Sequence, residues 1–270
     1  MIATGNDATG QALAARVADL ITDAANNSPR SRQTRIGPSE VGEPCERKLT
    51  YKLFEWPACN TDHDPIASVI GTGFHGWMEE VFTGRNAVLP DGRPRYRIEE
   101  RVTVREGGST VLGFDVTGSA DLYDRLTRTN LDWKLVGVSS FDAYRRKGPG
   151  VQYRVQAHLY GLGQENAGES PERVAIVFVA RHHELRVHVW TEEYQRQVAL
   201  DALERLDRIK ARLLALDPEA NPERWSEIPI PEDAKCKWCP WFRPGSSDLS
   251  SGCPGVMKQV RRHGFEELVA

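Results

Sequence analysis

Residues 118–134 constrain this chain more than any other stretch. Gly118-Ser-Ala-Asp121-Leu-Tyr-Asp124 and Asn130-Leu-Asp132-Trp-Lys134 flank a short polar turn and read as two strands of a hairpin. Side chains at i and i+2 of a strand share a face. Asp132 and Lys134 therefore point to one side, and Asp121 on the paired strand can reach the same point. Two carboxylates and an ammonium gathered there suit Mg²⁺ or Mn²⁺, which take hard oxygen ligands. The ion would bind a phosphate oxygen and a water, with Lys134 beside that water. The same residues also read as a solvated hairpin with an Asp–Lys ion pair, common on surfaces. The choice between the two rests on the remainder of the chain.

Composition narrows the field. The 270 residues, 27% charged and 40% hydrophobic, suit one large domain or two small ones. No apolar run approaches the roughly 20 residues of a membrane span, and the first residues lack the basic-then-apolar pattern of a signal peptide. A cytoplasmic protein without membrane contact is expected. A net charge of −3 gives no global attraction to nucleic acid; a local basic groove is compatible with it. The cysteines are five, Cys45, Cys59, Cys236, Cys239 and Cys253. An odd number in a cytosolic chain favours metal or cluster ligation over disulfides.

Residues 11–25 read as a helix with Leu13, Val17, Leu20, Ile21 and Ala24 on one face. A basic linker follows, with Arg30, Arg32 and Arg35. Cys45 opens a turn in the segment 37–54. Residues 67–83 read as a helix that places His75 and Glu79 on one side. Gly71, Gly73 and Gly76 in that helix are poor helix formers and suggest close backbone approach. Residues 95–105 and 110–117 read as strands joined at Gly107-Gly108. The segment after Lys134 reads as a loop whose adjacent cations Arg145, Arg146 and Lys147 suit phosphate contact, or form a solvated charge run. Residues 151–163 read as a helix carrying Arg154, with Gln156 and Tyr160 on one face. Strands follow at 173–180 and 184–190, the first an apolar run suited to a central position. A helix over 192–216 buries Val198, Ala202, Leu206, Ile209 and Leu213. A proline-rich connector over 218–231 leads to Cys236-Lys-Trp-Cys239 and Cys253-Pro-Gly.

His75 in Gly71-x3-His75-x3-Glu79, Asp121 in Gly118-x2-Asp121, Asp132-x-Lys134 and Gln156-x3-Tyr160 occur in that order. The arrangement resembles the RecB-type branch of the PD-(D/E)xK nucleases. The cysteine placement, one before the core and a Cys-x2-Cys with a further Cys after it, resembles the CRISPR-associated iron–sulfur exonucleases, here of a phage-borne kind. The resemblance implies an α/β, restriction-endonuclease-like core with a central mixed sheet flanked by helices, a helical N-terminal region and an iron–sulfur-bound C-terminal tail. It implies an N-terminal helix and linker over 1–36, a first-cysteine segment over 37–66, a nuclease core over 67–216 and a cluster region over 217–270.

It also implies roles. His75, Asp121, Asp132 and the Trp133 carbonyl would ligate Mn²⁺ or Mg²⁺, and Lys134 would activate water. Gln156 and Tyr160 would steady Lys134 and the nucleic-acid phosphates, and Glu79 would join the catalytic group, with Glu80 competing for that role. Cys45, Cys236, Cys239 and Cys253 would hold a [4Fe–4S] cluster. The gap Cys239-x13-Cys253 is longer than the family's, which keeps Cys59 open as the fourth ligand, and zinc remains the rival metal. The implied activity is a metal-dependent DNA exonuclease on single-stranded ends, in recombination, repair or phage DNA processing. A homo-oligomer and a recombination-protein partner belong to the same expectation. Arg145, Arg146, Lys147 and Arg154 are the candidate DNA contacts. A catalytically silent DNA-binding or adaptor protein of the same fold and a structure-specific endonuclease are the alternatives.

Overall fold

The computed structural model describes residues 8–28, 33–61, 64–108 and 110–256. Helices α1 (Ala8–Asn26), α2 (Pro38–Val41), α3 (Glu46–Leu53) and α4 (Ile66–Thr83) precede strands β1 (Tyr96–Arg105), β2 (Val116–Asp124) and β3 (Thr129–Gly137). Helices α5 (Val138–Lys147) and α6 (Gly150–Asn166) then cross to β4 (Arg173–Arg181), β5 (Val187–Glu193) and α7 (Arg196–Leu216). The strands form one mixed five-stranded sheet in the order β1-β2-β3-β4-β5. Only the β3–β4 neighbours run parallel. That pairing requires a crossover, and α5 and α6 supply it.

β4 is buried from Val174 to Ala180, as its unbroken apolar run requires of a strand covered on both faces. Leu131, Trp133 and Leu135 of β3 turn toward Phe74, Met78 and Phe82 of α4. The alternate residues of β3 turn toward α6. Helix α6 is buried without interruption from Val155 to Gln164. Gly161 and Gly163 make this possible, since a Cβ there would stand 2.6 Å from the Tyr194 ring and 2.5 Å from Val102.

Segments that flank the sheet in sequence, around Tyr51 and Trp225–Trp241, meet in an aromatic cluster. Tyr51 of α3 stacks on Trp225 with centroids 4.2 Å apart and on Trp241 at 5.6 Å. Its hydroxyl donates to Leu249 O, and buried Arg47 donates to Ile228 O. The C-terminal segment is thus docked by ring packing and hydrogen bonds to the first-cysteine segment. Among the described residues no helix is long and apolar enough to cross a membrane.

Four expectations need correction. Residues 110–115 form turns: Thr110 N donates to Gly107 O and Gly113 N to Thr110 O, and β2 begins only at Val116. Residues 138–147, read as a loop, are α5, which ends at Gly148 ahead of Pro149. Helix α7 starts at Arg196 because Glu192 and Glu193 finish β5; its buried face is Ala199, Leu203, Leu206, Ile209, Leu213 and Leu216, with Val198 and Ala202 at the margin. Gly71, Gly73 and Gly76 of α4 have, among the described residues, no neighbour within 4 Å of an added Cβ, so no described backbone approaches them. Helix α1 forms, yet buries no residue: Leu13, Val17, Leu20 and Ile21 remain 41–61% exposed. Arg30 and Arg32 lie outside the described residues.

Candidate metal centre

The hairpin opens where the candidate acids stand. β2 and β3 pair at Leu122–Leu131, Tyr123–Asn130 and Asp124–Thr129, and no further. Beyond that point the Asp121 carboxylate takes the place of a ladder partner: its Oδ2 accepts from Trp133 N at 2.7 Å. The other edge of β3 pairs with β4 along its whole length, from Thr129–Arg173 to Gly137–Arg181.

Groups from both faces of the sheet converge on this gap. From α4, His75 Nδ1 lies 3.5 Å from Asp121 Oδ1 and 3.5 Å from Glu99 Oε1. From α6, Gln156 Nε2 donates to Asp132 Oδ1 at 2.7 Å. Lys134 Nζ lies 2.5 Å from Asp132 Oδ2 and 5.1 Å from the centroid of the Tyr153 ring. Both Asp132 oxygens are thereby engaged, Oδ1 by the Gln156 amide and Oδ2 by the Lys134 ammonium, the pairing that a buried carboxylate needs.

The electrostatics follow from this crowding. Burial raises the Asp132 carboxyl to about 6; Lys134 opposes the shift and Asp121 adds to it. Asp121, then Glu99, hold the His75 imidazole up to about 9 against its burial.

Of the residues expected together, His75 stands beside Asp121 and Lys134 beside Asp132, while the group whose ligand atoms all fall within 4.8 Å of one another is His75, Glu99 and Asp121. Gln156 orients Asp132 rather than Lys134; Tyr153, not singled out in the sequence, supports the lysine. Tyr160 lies against β2, packed with Val102 and Ala120, and its hydroxyl would stand 3.0 Å from a Cβ at Gly118. Glu79 and Glu80 are exposed on α4, and the acid beside His75 is Glu99 of β1. Arg145, Arg146 and Lys147 are exposed in the last turn of α5, where cations suit the helix dipole. Arg154 is engaged by Glu192 at 2.6 Å, and the same carboxylate contacts the buried His158.

Glu99 is the residue that sequence reasoning missed. Ile98 and Leu122, a cross-strand pair, pack toward α4, whereas Val102 and Ala120 pack toward α6. All four positions are even, and a regular strand would hold them on one face. In β1 the reversal falls at Glu99, whose φ is +48°. A left-handed residue inside a strand costs about 1–2 kcal/mol. Periodicity gives no notice of it; the one available signal is the adjacent acids Glu99 and Glu100 within an otherwise alternating strand.

Four cysteines, Cys45, Cys236, Cys239 and Cys253, line one cavity of about 620 Å³. Cys59 is exposed, held by its N–H to Pro240 O, with its Sγ beside Gly252. Burial raises the Cys45 thiol, and raises the Cys239 thiol to about 11. The cavity also touches Tyr144, Tyr153, Lys235 and Trp238, so its wall reaches the ring that supports Lys134.

No protein-family model and no curated protein matched this chain. Among solved structures, one described as "Crystal structure of SSO0001" is similar over 90% of this chain and 96% of that one, at 14% identity and a TM-score of 0.46.

Proposed function

We propose that this chain is a divalent-metal-dependent deoxyribonuclease of the RecB-type PD-(D/E)xK kind, an exonuclease working from single-stranded ends. The observation that supports the reading is the pairing of His75 with Asp121 and of Lys134 with Asp132 where β2 and β3 part. His75, Asp121 and Asp132 would hold Mn²⁺ or Mg²⁺, which when bound supplies Lewis acidity and a water of lowered pKa. Gln156 fixes the Asp132 carboxylate, and Trp133 N fixes that of Asp121. Lys134, steadied against Tyr153, brings an ammonium to the reacting phosphate's negative charge. The rings of Tyr144, Tyr153 and Trp238 and the ammonium of Lys235, along one cavity, suit a flexible strand with unstacked bases. DNA recombination, repair or phage DNA processing is the setting such an activity fits.

The cysteines support a [4Fe–4S] cluster held by Cys45, Cys236, Cys239 and Cys253. All four line one cavity, and an all-thiolate set is what an iron–sulfur cluster takes, as zinc does. Cys59 does not line the shared cavity.

The test is digestion of end-labelled single- and double-stranded DNA with Mn²⁺ or Mg²⁺, EDTA as control, and closed circular DNA to separate ends from interior bonds. Cleavage of linear single strands by the anaerobically purified protein is expected. An intact, metal-supplied protein that leaves every substrate whole would sink the nuclease reading. Elemental analysis separates iron from zinc, and Cys253→Ser should lose the iron that Cys59→Ser retains.

A further inference from the structure

We propose that Glu99 is itself a ligand of the divalent ion, a fourth protein group beside His75, Asp121 and Asp132; the inference rests on the metal reading above. Two observations carry it. His75 Nδ1, Glu99 Oε1 and Asp121 Oδ1 all lie within 4.8 Å of one another, with the imidazole nitrogen 3.5 Å from each oxygen. These separations exceed those of good N–H···O bonds, about 2.7–3.2 Å. They match neighbouring ligands of an octahedral ion, roughly 3–4 Å apart when metal–ligand bonds are near 2.1 Å. Asp132, 1% exposed, lies outside that group, its two oxygens taken by the Gln156 amide and the Lys134 ammonium.

The backbone supplies the second observation. Cross-strand pairing on either side, Ile98–Leu122 and Glu100–Ala120, places Glu99 opposite Asp121, the acid at which the β2–β3 ladder parts. At this position β1 departs from strand geometry to φ +48°. Glycine would take that conformation without strain, yet the chain places a carboxylate there. Conformational strain held at a cluster of ionisable groups is the pattern of a functional constraint. Three carboxylates with one imidazole suit Mn²⁺, which accepts nitrogen more readily than Mg²⁺ and oxygen more readily than Zn²⁺.

The experiment is Mn²⁺ titration of the full-length chain, stripped of divalent ions with its cysteine site intact, by calorimetry and by the EPR signal of free Mn²⁺. Glu99→Gln should weaken binding at least about tenfold, the scale on which even groups outside the ligand set act. Glu99→Gly should weaken it similarly while leaving the Tm of the metal-free chain, read above pH about 9 where the imidazole has lost its proton, unchanged or higher, since glycine accepts the φ. Added to His75→Gln, Glu99→Gln should lose affinity further. If the wild type binds Mn²⁺, His75→Gln and Asp132→Asn weaken it, and both Glu99 variants bind as the wild type does, this inference alone is overturned. No further loss in the His75→Gln background overturns it too, leaving Glu99 only a partner of the imidazole. A wild type that takes up no Mn²⁺ removes the metal reading itself, and this inference with it.

Discussion

Helices α4 and α6 cover opposite faces of one sheet, and each sends a residue through the gap between β2 and β3. They do so on different terms. Helix α6 is buried from Val155 to Gln164, and its glycines are filled against Tyr194 and Val102. Helix α4 buries no residue; Ile66, Val69, Ile70 and Trp77 are 41–57% exposed, and its three glycines meet open space. One residue type therefore serves tight packing in one helix and leaves room in the other. The α6 side fixes Asp132 and the neighbourhood of Lys134 within the core. The α4 side, carrying His75, stays open to what the site receives. A site of this kind needs rigid ligands and an accessible entry, and the two helices divide those tasks.

The largest test of that division is chemical. Asp132→Ala or Lys134→Ala, on the α6 side, should reduce DNA cleavage below detection while the far-UV circular dichroism stays that of the wild type. Retained cleavage in either variant would remove the rigid half of the comparison.

Packing comes next. Gly161→Ala would drive a Cβ to 2.6 Å from the Tyr194 ring; overpacking of this kind costs about 1–3 kcal/mol, read as a lower denaturant midpoint. Unchanged stability would mean that the Tyr194 ring moves freely aside.

The α4 side can be sharpened by pH. His75 keeps its proton up to about 9, and a bound ion must displace it. Between the ordinary value of 6.5 and about 9, Mn²⁺ affinity should rise by about tenfold per pH unit from this group. In the metal-free chain the linkage runs the other way. A raised imidazole pKa stabilises the fold fully below about 6.5, and that contribution is lost as pH rises through about 9. A flat Mn²⁺ affinity across this range would show that His75 does not take part.

The smallest effect is Gly73→Ala. With nothing within 4 Å of the new Cβ, helix propensity alone acts, and the fold should gain up to about 1 kcal/mol. A loss instead would place a neighbour on α4. Cleavage by this variant measures whether the open face must stay open.

The chain's motif residues were legible because they obey local rules. Asp132 and Lys134 share a face by strand alternation, and the apolar run of β4 announces a central strand. Elements with less periodicity were not legible. Helix α5 carries Phe141 as its one buried residue, too little to mark a face. The turns at residues 110–115 are held by Asp115 and Gly107, and a Cβ at Gly107 would strike the Phe114 backbone at 2.1 Å, which no composition rule reveals. In α1 the apolar stripe was read as one face of a helix, and the helix forms with that face exposed, since periodicity reports a face and not what lies against it.

By itself the sequence determined which residues could share a strand or helix face, because backbone geometry fixes those periods over a few residues. Tertiary structure alone decided that β2 and β3 part at Asp121, that β1 reverses its faces at Glu99, and that Gln156 holds Asp132. Those outcomes depend on where separate elements come to rest against one another. The energies that place them are summed over contacts far apart in the chain, where no local pattern can record them.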